Sequence, residues 1–411
     1  MANRHWSKLD SMGTFYSLTL MGRFPASFRF SVQLKEEIDP GILQAALDDA
    51  LKYYPHYNSR LRRGFFWYYL ENLNGRVCVS KEDMPICLKI RKDEDSPLFR
   101  VNYYKKRINI EVSHILSDGR GIIEFFKCIV TCYLTKKYDI PDVTVNMDSS
   151  LNERQEDSFD KYYKKKGQSP DKRKLPLFSY KYHGFKKKDV SFFEYHISAK
   201  KALEIAHEYN TTLTGLIIAV LLCSYRGIMK EVDLKKAVTV DVPVDLRKYF
   251  DSDTSKNFFG LTTIGYIFKD NGDELADVVT EINRQLKEVT RSDNLLKRMN
   301  RTIRLRRMTS PIPLFIKEVC LNLANVFFIP RSTTSVSNLG VIKVDERLAE
   351  YIENFNVLTP TNRIQMTICS FGDDLSVGIS SKYTDNDVIM RFCRYFSGKG
   401  IEGVINTNQE D

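Results

Sequence analysis

The stretch Arg107–Gly121, RINIEVSHILSDGRG, decides the predicted fold. Its first seven residues alternate between polar and apolar, which is the period of a strand with one buried face. After a turn at Asp118, apolar residues recur at helical spacing over Ile122–Tyr133. The sequence therefore predicts a strand, a short turn and a helix, with His114 at the end of the strand and a carboxylate four residues later.

His114 has the chemistry of a general base. A neutral imidazole with a pKa near ~6.5 accepts a proton from an alcohol or an amine at pH 7. Asp118 could take part in catalysis or could only orient the loop. A His-x-x-x-Asp spacing arises by chance in about one such chain in three, but Gly119 directly after the aspartate, a strand before and an amphipathic helix after make a chance match much rarer.

The motif His114–Gly119 resembles that of the His-x-x-x-Asp-Gly acyltransferases of the chloramphenicol acetyltransferase-like superfamily. This superfamily includes peptide condensation domains, plant acyl-CoA-dependent acyltransferases, wax ester synthases and alcohol O-acetyltransferases. Condensation domains usually carry a second histidine directly before the motif, where this chain has Ser113. The resemblance therefore favours the ester-forming relatives, and Leu9–Gly13 also resembles the opening of alcohol acetyltransferases.

Two later segments resemble the other half of the same family's site. Pro243–Arg247 and Asn257–Gly260 look like its Pro-x-x-x-Arg and Asn-Phe elements. The resemblance implies that Arg247 pairs with Asp118, that Gly119 and Arg247 are structural residues of the site, and that Asn257 lines the channel. The Asp-Phe-Gly-Trp-Gly sequence of the plant enzymes is missing, which argues against that branch.

A third resemblance lies in TTSVSNLG at residues 333–340. A Ser-Asn element on a strand in this part of the family lines the channel, where a hydroxyl or an amide can stabilise the oxyanion formed from a thioester carbonyl. Ser337 and Asn338 are the candidates here, with Ser335 on the same strand face as Ser337. A strand that simply ends in a Ser-Asn-x-Gly turn explains the residues equally well.

The order of the predicted strands and helices indicates an α/β fold, and the length allows two domains. The 411 residues suffice for two domains with ample cores, and 43% hydrophobic residues exclude a disordered chain. The resemblance implies two chloramphenicol acetyltransferase-like sandwich halves with mixed sheets and an active-site channel at their junction. We place the N-terminal half at residues 1–175 and the C-terminal half at residues 176–411, because residues 142–189 are polar and lack periodicity.

The net charge of +10 suggests an anionic partner. Arg301 and Arg304 lie in the basic run Lys297–Arg307, at a spacing that places them on one helical face. There they could bind the phosphates of coenzyme A or could only be solvated. Aromatic residues and lysines alternate near Tyr162–Lys166, but no nucleic-acid motif accompanies them, so we expect no nucleic-acid partner.

Other patterns in the sequence predict a hairpin, an apolar helix and the cellular location of the protein. Asn74–Gly75 is a favoured hairpin turn between strands at Arg60–Leu70 and Val77–Val79. The apolar helix predicted at Pro311–Phe328 is expected to pack on the sheet, although peripheral contact with a membrane stays open. No apolar run reaches the ~20 residues of a transmembrane helix. Eight cysteines without a Cys-x-x-Cys pair and no secretory signal predict reduced thiols and a cytoplasmic protein.

The resemblance implies that the chain transfers an acyl group from acyl-coenzyme A, as co-substrate, to a small-molecule alcohol or amine. His114 would remove the acceptor's proton, and no acyl-enzyme or bound cofactor is needed. The sequence has no Gly-x-Ser-x-Gly elbow, which argues against a serine nucleophile, and no metal-ligand spacing, which argues against metal catalysis. Two alternatives remain: a condensation-like domain that uses thioesters of an acyl carrier protein, and a non-catalytic binding module of the same fold.

Overall fold

The computed structural model describes residues 6–19, 27–73, 75–87, 96–143, 150–164, 179–327 and 332–409. The strands are β1 (Trp6–Lys8), β2 (Ser27–Leu34), β3 (Ser59–Arg63), β4 (Tyr68–Asn72), β5 (Ser80–Lys81), β6 (Phe99–Tyr104), β7 (Arg107–Ser113), β8 (Lys186–Ser198), β9 (Val238–Asp245), β10 (Phe259–Tyr266), β11 (Thr334–Val341), β12 (Ile352–Leu358), β13 (Ile364–Phe371), β14 (Asp374–Tyr383) and β15 (Gly403–Thr407).

The α-helices are α1 (Ser11–Thr19), α2 (Pro40–Tyr53), α3 (Gly119–Tyr138), α4 (Leu151–Arg154), α5 (Ser158–Lys161), α6 (Ala199–Glu208), α7 (Leu213–Arg226), α8 (Phe268–Asn271), α9 (Leu275–Val289), α10 (Ser292–Thr309), α11 (Leu314–Phe327), α12 (Glu346–Ala349) and α13 (Asp387–Gly398). Several of them begin with a side-chain cap. Asp39 caps α2 by accepting from the Ile42 N–H at 2.9 Å, with Pro40 at the first helical position.

The first large sheet has the strand order β12-β2-β7-β6-β5. Its pairs are antiparallel except β5 with β6. The apolar residues of β2 and β7 alternate with polar ones, and one face packs against the buried sides of α2 and α3. This arrangement forms the first core and brings the end of β7 close to the start of α3.

The second large sheet has the order β10-β9-β11-β13-β14-β8-β15. Strand β11 runs parallel to β9 and β13, and the other pairs are antiparallel. Helices α6, α7, α9 and α13 supply the apolar residues that cover it. The expected α/β architecture with mixed sheets is confirmed.

One strand pairing and one ion pair connect the N-terminal part of the chain with the C-terminal part. Strand β12 follows β11 in sequence yet pairs with β2, so late residues complete the first sheet. Arg107 on β7 and Glu194 on β8 add a bidentate ion pair with N–O distances of 2.8 and 2.7 Å. The proposed boundary at residues 175 and 176 lies outside the described residues and stays a prediction.

The hairpin expected between Arg60–Leu70 and Val77–Val79 is wrong, because residues 77–79 form no strand; Asn74 of its expected turn lies outside the described residues. Strands β3 and β4 pair with each other, and their turn is Gly64–Trp67, where the Gly64 N–H donates to the Trp67 carbonyl at 3.0 Å. Gly64 fits there because a Cβ would lie 2.7 Å from that carbonyl oxygen. The run Arg60–Leu70 therefore contains a whole hairpin, and the aromatic residues at its tip hid the turn from the sequence pattern.

The apolar helix α11 also departs from expectation. In its first two turns Phe315, Ile316 and Val319 are exposed, whereas Glu318 is buried. Glu318 accepts hydrogen bonds from Arg63 at 2.9 Å and from Tyr68. Leu314 is buried in the first core, as the expected packing requires, but these polar partners occupy the rest of the inward side, and Phe315, Ile316 and Val319 face solvent.

Within the described ranges, none of the helices taken singly has the length and apolar composition to cross a bilayer. Helices α6 and α7 pass such a test only as a pair, with a bend of 80° between them. The apolar residues of α7 are buried in the second core, as expected for a packing role.

Candidate active site

His114 follows the last residue of β7 and lies in the turn before α3. Its ring stacks on Tyr16 of α1 with centroids 4.7 Å apart and planes within 15°. Phe28 of β2 lies at 4.4 Å, and Phe259 of β10 at 6.4 Å. The imidazole therefore sits among aromatic rings from both sheets, which leaves it only partly exposed.

The apolar surroundings of His114 favour the uncharged form of its imidazole. Burial lowers the pKa of His114 to about 4, while the charge of Asp118 and the backbone of Ser117 act in the opposite direction. At neutral pH the ring is uncharged and able to accept a proton. Its Nδ1 is buried and has no hydrogen-bond partner among the described residues.

The backbone at His114 is fixed by a buried amide. Asn257 Nδ2 donates to the His114 carbonyl at 2.9 Å and to Asp10 Oδ2 at 3.0 Å. Asp10 is itself buried, accepts from the Gly13 N–H at 2.7 Å, and has a pKa that burial raises to about 6. Asn257 thus joins the end of β7 to the start of α1 and positions His114 through its main chain.

Asp118 and Arg247 form a buried ion pair between the two parts of the chain. Arg247 Nη1 lies 3.0 Å from Asp118 Oδ2, and Arg247 Nη2 lies 3.2 Å from Oδ1. The same carboxylate caps α3 through the Gly121 N–H at 2.9 Å and accepts from the Phe258 N–H at 2.7 Å. Four donors therefore occupy its oxygens, which is a structural arrangement.

Arg247 is equally well satisfied. It donates to the carbonyls of Thr254 at 2.9 Å and Lys256 at 2.6 Å, and it pairs with Asp245 at 3.1 Å. Burial lowers its pKa, but the carboxylates of Asp118 and Asp245 outweigh burial and raise it. The guanidinium thus fixes the loop at residues 254–258 against the start of α3.

The same loop touches α3 at a second point. Ser117 Oγ donates to the Ser255 carbonyl at 2.6 Å. A Cβ at Gly121 would lie 2.1 Å from that carbonyl oxygen, so only glycine fits without movement of the loop. Gly119, although part of the motif, is less constrained, because its Cβ would meet only the end of the Leu339 side chain.

We therefore expect Gly121→Ala to destabilise the protein by about 1 to 3 kcal/mol, because the added methyl must displace buried backbone. Gly119→Ala should cost less, since the Leu339 side chain can rotate. Gly398→Ala, which has open space around it, is the matched control. Chemical denaturation of the three variants measures the order, and equal losses at Gly119 and Gly121 would contradict it.

Ser337 and Asn338 fall on opposite faces of β11. Asn338 Nδ2 donates to Thr214 Oγ1 at 2.8 Å and its Oδ1 accepts from the Gly340 N–H at 2.8 Å. Its amide is therefore engaged towards α7. The pairing of β11 with β13 becomes irregular between Asn338 and Val341, so strand alternation does not relate Ser337 to Leu339. The role of Ser337 at the oxyanion stays a prediction.

Arg301 and Arg304 are exposed on α10. That helix buries Leu295, Met299 and Ile303 and turns the two arginines to solvent. Among the described residues, no hydrogen bond or ion pair links either arginine to His114 or Asp118. Their role in binding the phosphates of a donor stays a prediction.

Two residues of this site are not singled out by the sequence pattern, namely Asp10 and Tyr16. Asp10 lies in the Leu9–Gly13 element, and the resemblance of this element to alcohol acetyltransferases is the signal in the sequence that points to Asp10. The structure shows why residue 13 is a glycine: a Cβ there would lie 2.6 Å from the Ile115 carbonyl oxygen. No group of side chains in the described ranges could hold a metal ion.

No family model and no curated protein sequence matches the chain. Solved structures match its fold. TRI101 from F. graminearum, complexed with coenzyme A and T-2 mycotoxin, has a TM-score of 0.64 at 11% identity, covering 97% of this chain and 100% of that one. The first condensation domain of the CDA synthetase has a TM-score of 0.62 at 12% identity, covering 97% and 96%.

The TRI3 trichothecene 15-O-acetyltransferase from Fusarium sporotrichioides has a TM-score of 0.61 at 10% identity, covering 95% and 96%. These structures are condensation domains and acetyltransferases of the chloramphenicol acetyltransferase-like fold. The similarity extends over nearly the whole of each chain. The chain therefore has this two-part fold, as the sequence motifs indicated.

Proposed function

We propose that the chain is an acyltransferase that moves an acyl group from a thioester to a hydroxyl or amine acceptor, with His114 as general base. The observation that carries the proposal is an uncharged imidazole at the end of β7, held where residues of both sheets meet. The fold, which solved acetyltransferases share, supports the same chemistry.

The proposed reaction needs one proton carrier. The acceptor oxygen or nitrogen attacks the thioester carbonyl while His114 takes its proton, and the imidazolium then returns the proton to the departing thiolate. One carbon–oxygen or carbon–nitrogen bond forms as the carbon–sulfur bond breaks. Ser337 is the candidate donor to the transient oxyanion, and Asp118 and Arg247 keep the turn in place.

The donor is proposed to be acyl-coenzyme A, because the TRI101 structure that matches this fold is complexed with coenzyme A. Condensation domains also match the fold, so a thioester on an acyl carrier protein is the second candidate. A donor panel with both kinds of thioester separates them.

The test is thiol release by the purified protein with acyl-coenzyme A or acyl-carrier donors and alcohol, amine or sugar acceptors. A rate that depends on the acceptor supports the proposal. Release at the same rate without acceptor would be thioester hydrolysis and would argue against transfer. If the protein binds the donor but no acceptor accelerates release, the non-catalytic alternative is favoured.

The pKa of His114 predicts an unusual pH profile. A base with a pKa of about 4 is already deprotonated at pH 5, so kcat/KM should stay level from pH 7 to pH 5 and fall only below that. An unshifted histidine would lose activity from about pH 6.5 downwards. Asp10, with a pKa of about 6, is a nearby group that could add a step. A step near pH 6 that persists in Asp10→Asn would contradict the assignment.

A further inference from the structure

The first two turns of α11 expose three apolar side chains to solvent, although Leu314 at their start is buried in the first core. Phe315 and Val319 are 57% and 59% exposed, and Ile316 lies beside them. The charged residues of these turns point inwards: Glu318 contacts Arg63 and Tyr68, and Lys317 Nζ donates to the carbonyl of Phe66 at 2.7 Å. A helix on a fully solvated surface normally has the reverse polarity.

The tip of the β3–β4 hairpin extends this apolar face. The Leu314 N–H donates to the Phe65 carbonyl at 2.9 Å, which seats the start of α11 on the turn. The side chains of Phe65 and Trp67 are exposed there. We call the set Phe65, Trp67, Phe315, Ile316 and Val319 the hairpin–helix surface.

Positive charge is exposed on the helix that precedes α11 in the chain. Helix α10 leads into α11 through a short link, and it exposes Leu305 and Met308 together with Arg301 and Arg304. Its neighbouring Arg306 is neutralised by Asp157 and Asp160 at 2.8 and 2.6 Å. Arg301 and Arg304 have no such carboxylate partner among the described residues, so their charge is available to an anion.

We propose that the hairpin–helix surface docks on the face of an anionic phospholipid bilayer. Exposed aromatic and aliphatic side chains enter the boundary between headgroups and acyl chains, and adjacent arginines attract anionic headgroups. Tryptophan and phenylalanine suit this boundary, and the net charge of +10 adds long-range attraction. Helix α11 has 14 residues and is about 21 Å long, which is too short to cross a bilayer. In this proposal the helix therefore lies along the interface.

This proposal goes beyond the acyl transfer proposed above, and its test needs no turnover. Purified protein is sedimented with phosphatidylcholine vesicles that contain or lack phosphatidylserine. We expect binding that requires phosphatidylserine and weakens with salt. The double variant Phe315→Ser/Val319→Ser should bind at least about tenfold more weakly, because the inserted apolar area is lost.

The matched control is Phe185→Ser/Val232→Ser, which removes a phenylalanine and a valine that are even more exposed, 85% and 65%, from elsewhere on the chain. It should bind like the parent. Arg301→Gln and Arg304→Gln should each weaken binding roughly fivefold on phosphatidylserine vesicles. Melting temperatures verify that each variant is folded.

Two results would overturn the proposal. One is a parent protein that stays in the supernatant with phosphatidylserine vesicles. The other is a dimer, seen by light scattering, that Phe315→Ser/Val319→Ser dissociates while vesicle binding is unchanged, because the surface would then join two copies of the chain.

Discussion

Replacing His114 with alanine is expected to lower the acceptor-dependent transfer rate by about 10²- to 10⁴-fold, the contribution of a positioned general base. The Nδ1 atom of the ring has no hydrogen-bond partner in the described part of the chain, and the backbone around His114 is held independently by Asn257. Its removal should therefore leave a folded protein. The measurement is acceptor-dependent thiol release at saturating donor.

His207→Ala is the control for this experiment, because His207 is exposed on α6. It should transfer acyl groups at the parental rate. Donor binding by His114→Ala, measured by calorimetry, should also be kept, since the base acts on the acceptor's proton. A His114→Ala variant as fast as the parent would remove this residue from the mechanism.

The second large effect is expected from the ion pair of Asp118 and Arg247. Their side chains are 6% and 11% exposed, and loss of one partner leaves a buried charge. Asp118→Asn and Arg247→Gln should each lower the free energy of unfolding by about 3 to 5 kcal/mol. The double variant should lose less than the sum, because both single changes remove the same interaction.

Urea denaturation of the four proteins in this cycle gives the coupling energy. Arg284→Gln, which breaks an exposed pair with Glu281, is the control and should change the free energy by less than about 1 kcal/mol. Additive losses at Asp118 and Arg247 would show that the two side chains act independently. An Asp118→Asn variant that is inactive yet as stable as the parent would indicate a chemical role for the carboxylate.

Local patterns predicted much of the fold. The period-2 run at β7 and the helical spacing in α3 are strong signals because each buries one continuous face. The pairing of Arg247 with Asp118 came from the family resemblance, since no local pattern relates residues that lie 129 positions apart. The pairing of β12 with β2 was not foreseen, because strand order depends on contacts that sequence spacing does not encode.

The structure also shows why other details could not be read from the sequence. Ser337 and Asn338 are both candidate donors from the sequence, and only the structure shows that the Asn338 amide is engaged by Thr214. The burial of Glu318 depends on Arg63 and Tyr68, which come from a distant hairpin. Such polar contacts between distant segments decide which side of an apolar helix faces the protein.

The position of β12 has a consequence for how the protein forms during synthesis. Strand β2 emerges from the ribosome more than 300 residues before β12, its neighbour at the edge of the sheet. Until residues 352–358 are made, one side of β2 is an unpaired edge with free backbone donors and acceptors, the kind of surface that pairs with other chains. We therefore expect a truncated N-terminal part to be prone to aggregation, and the first sheet to be completed only after the C-terminal part is made.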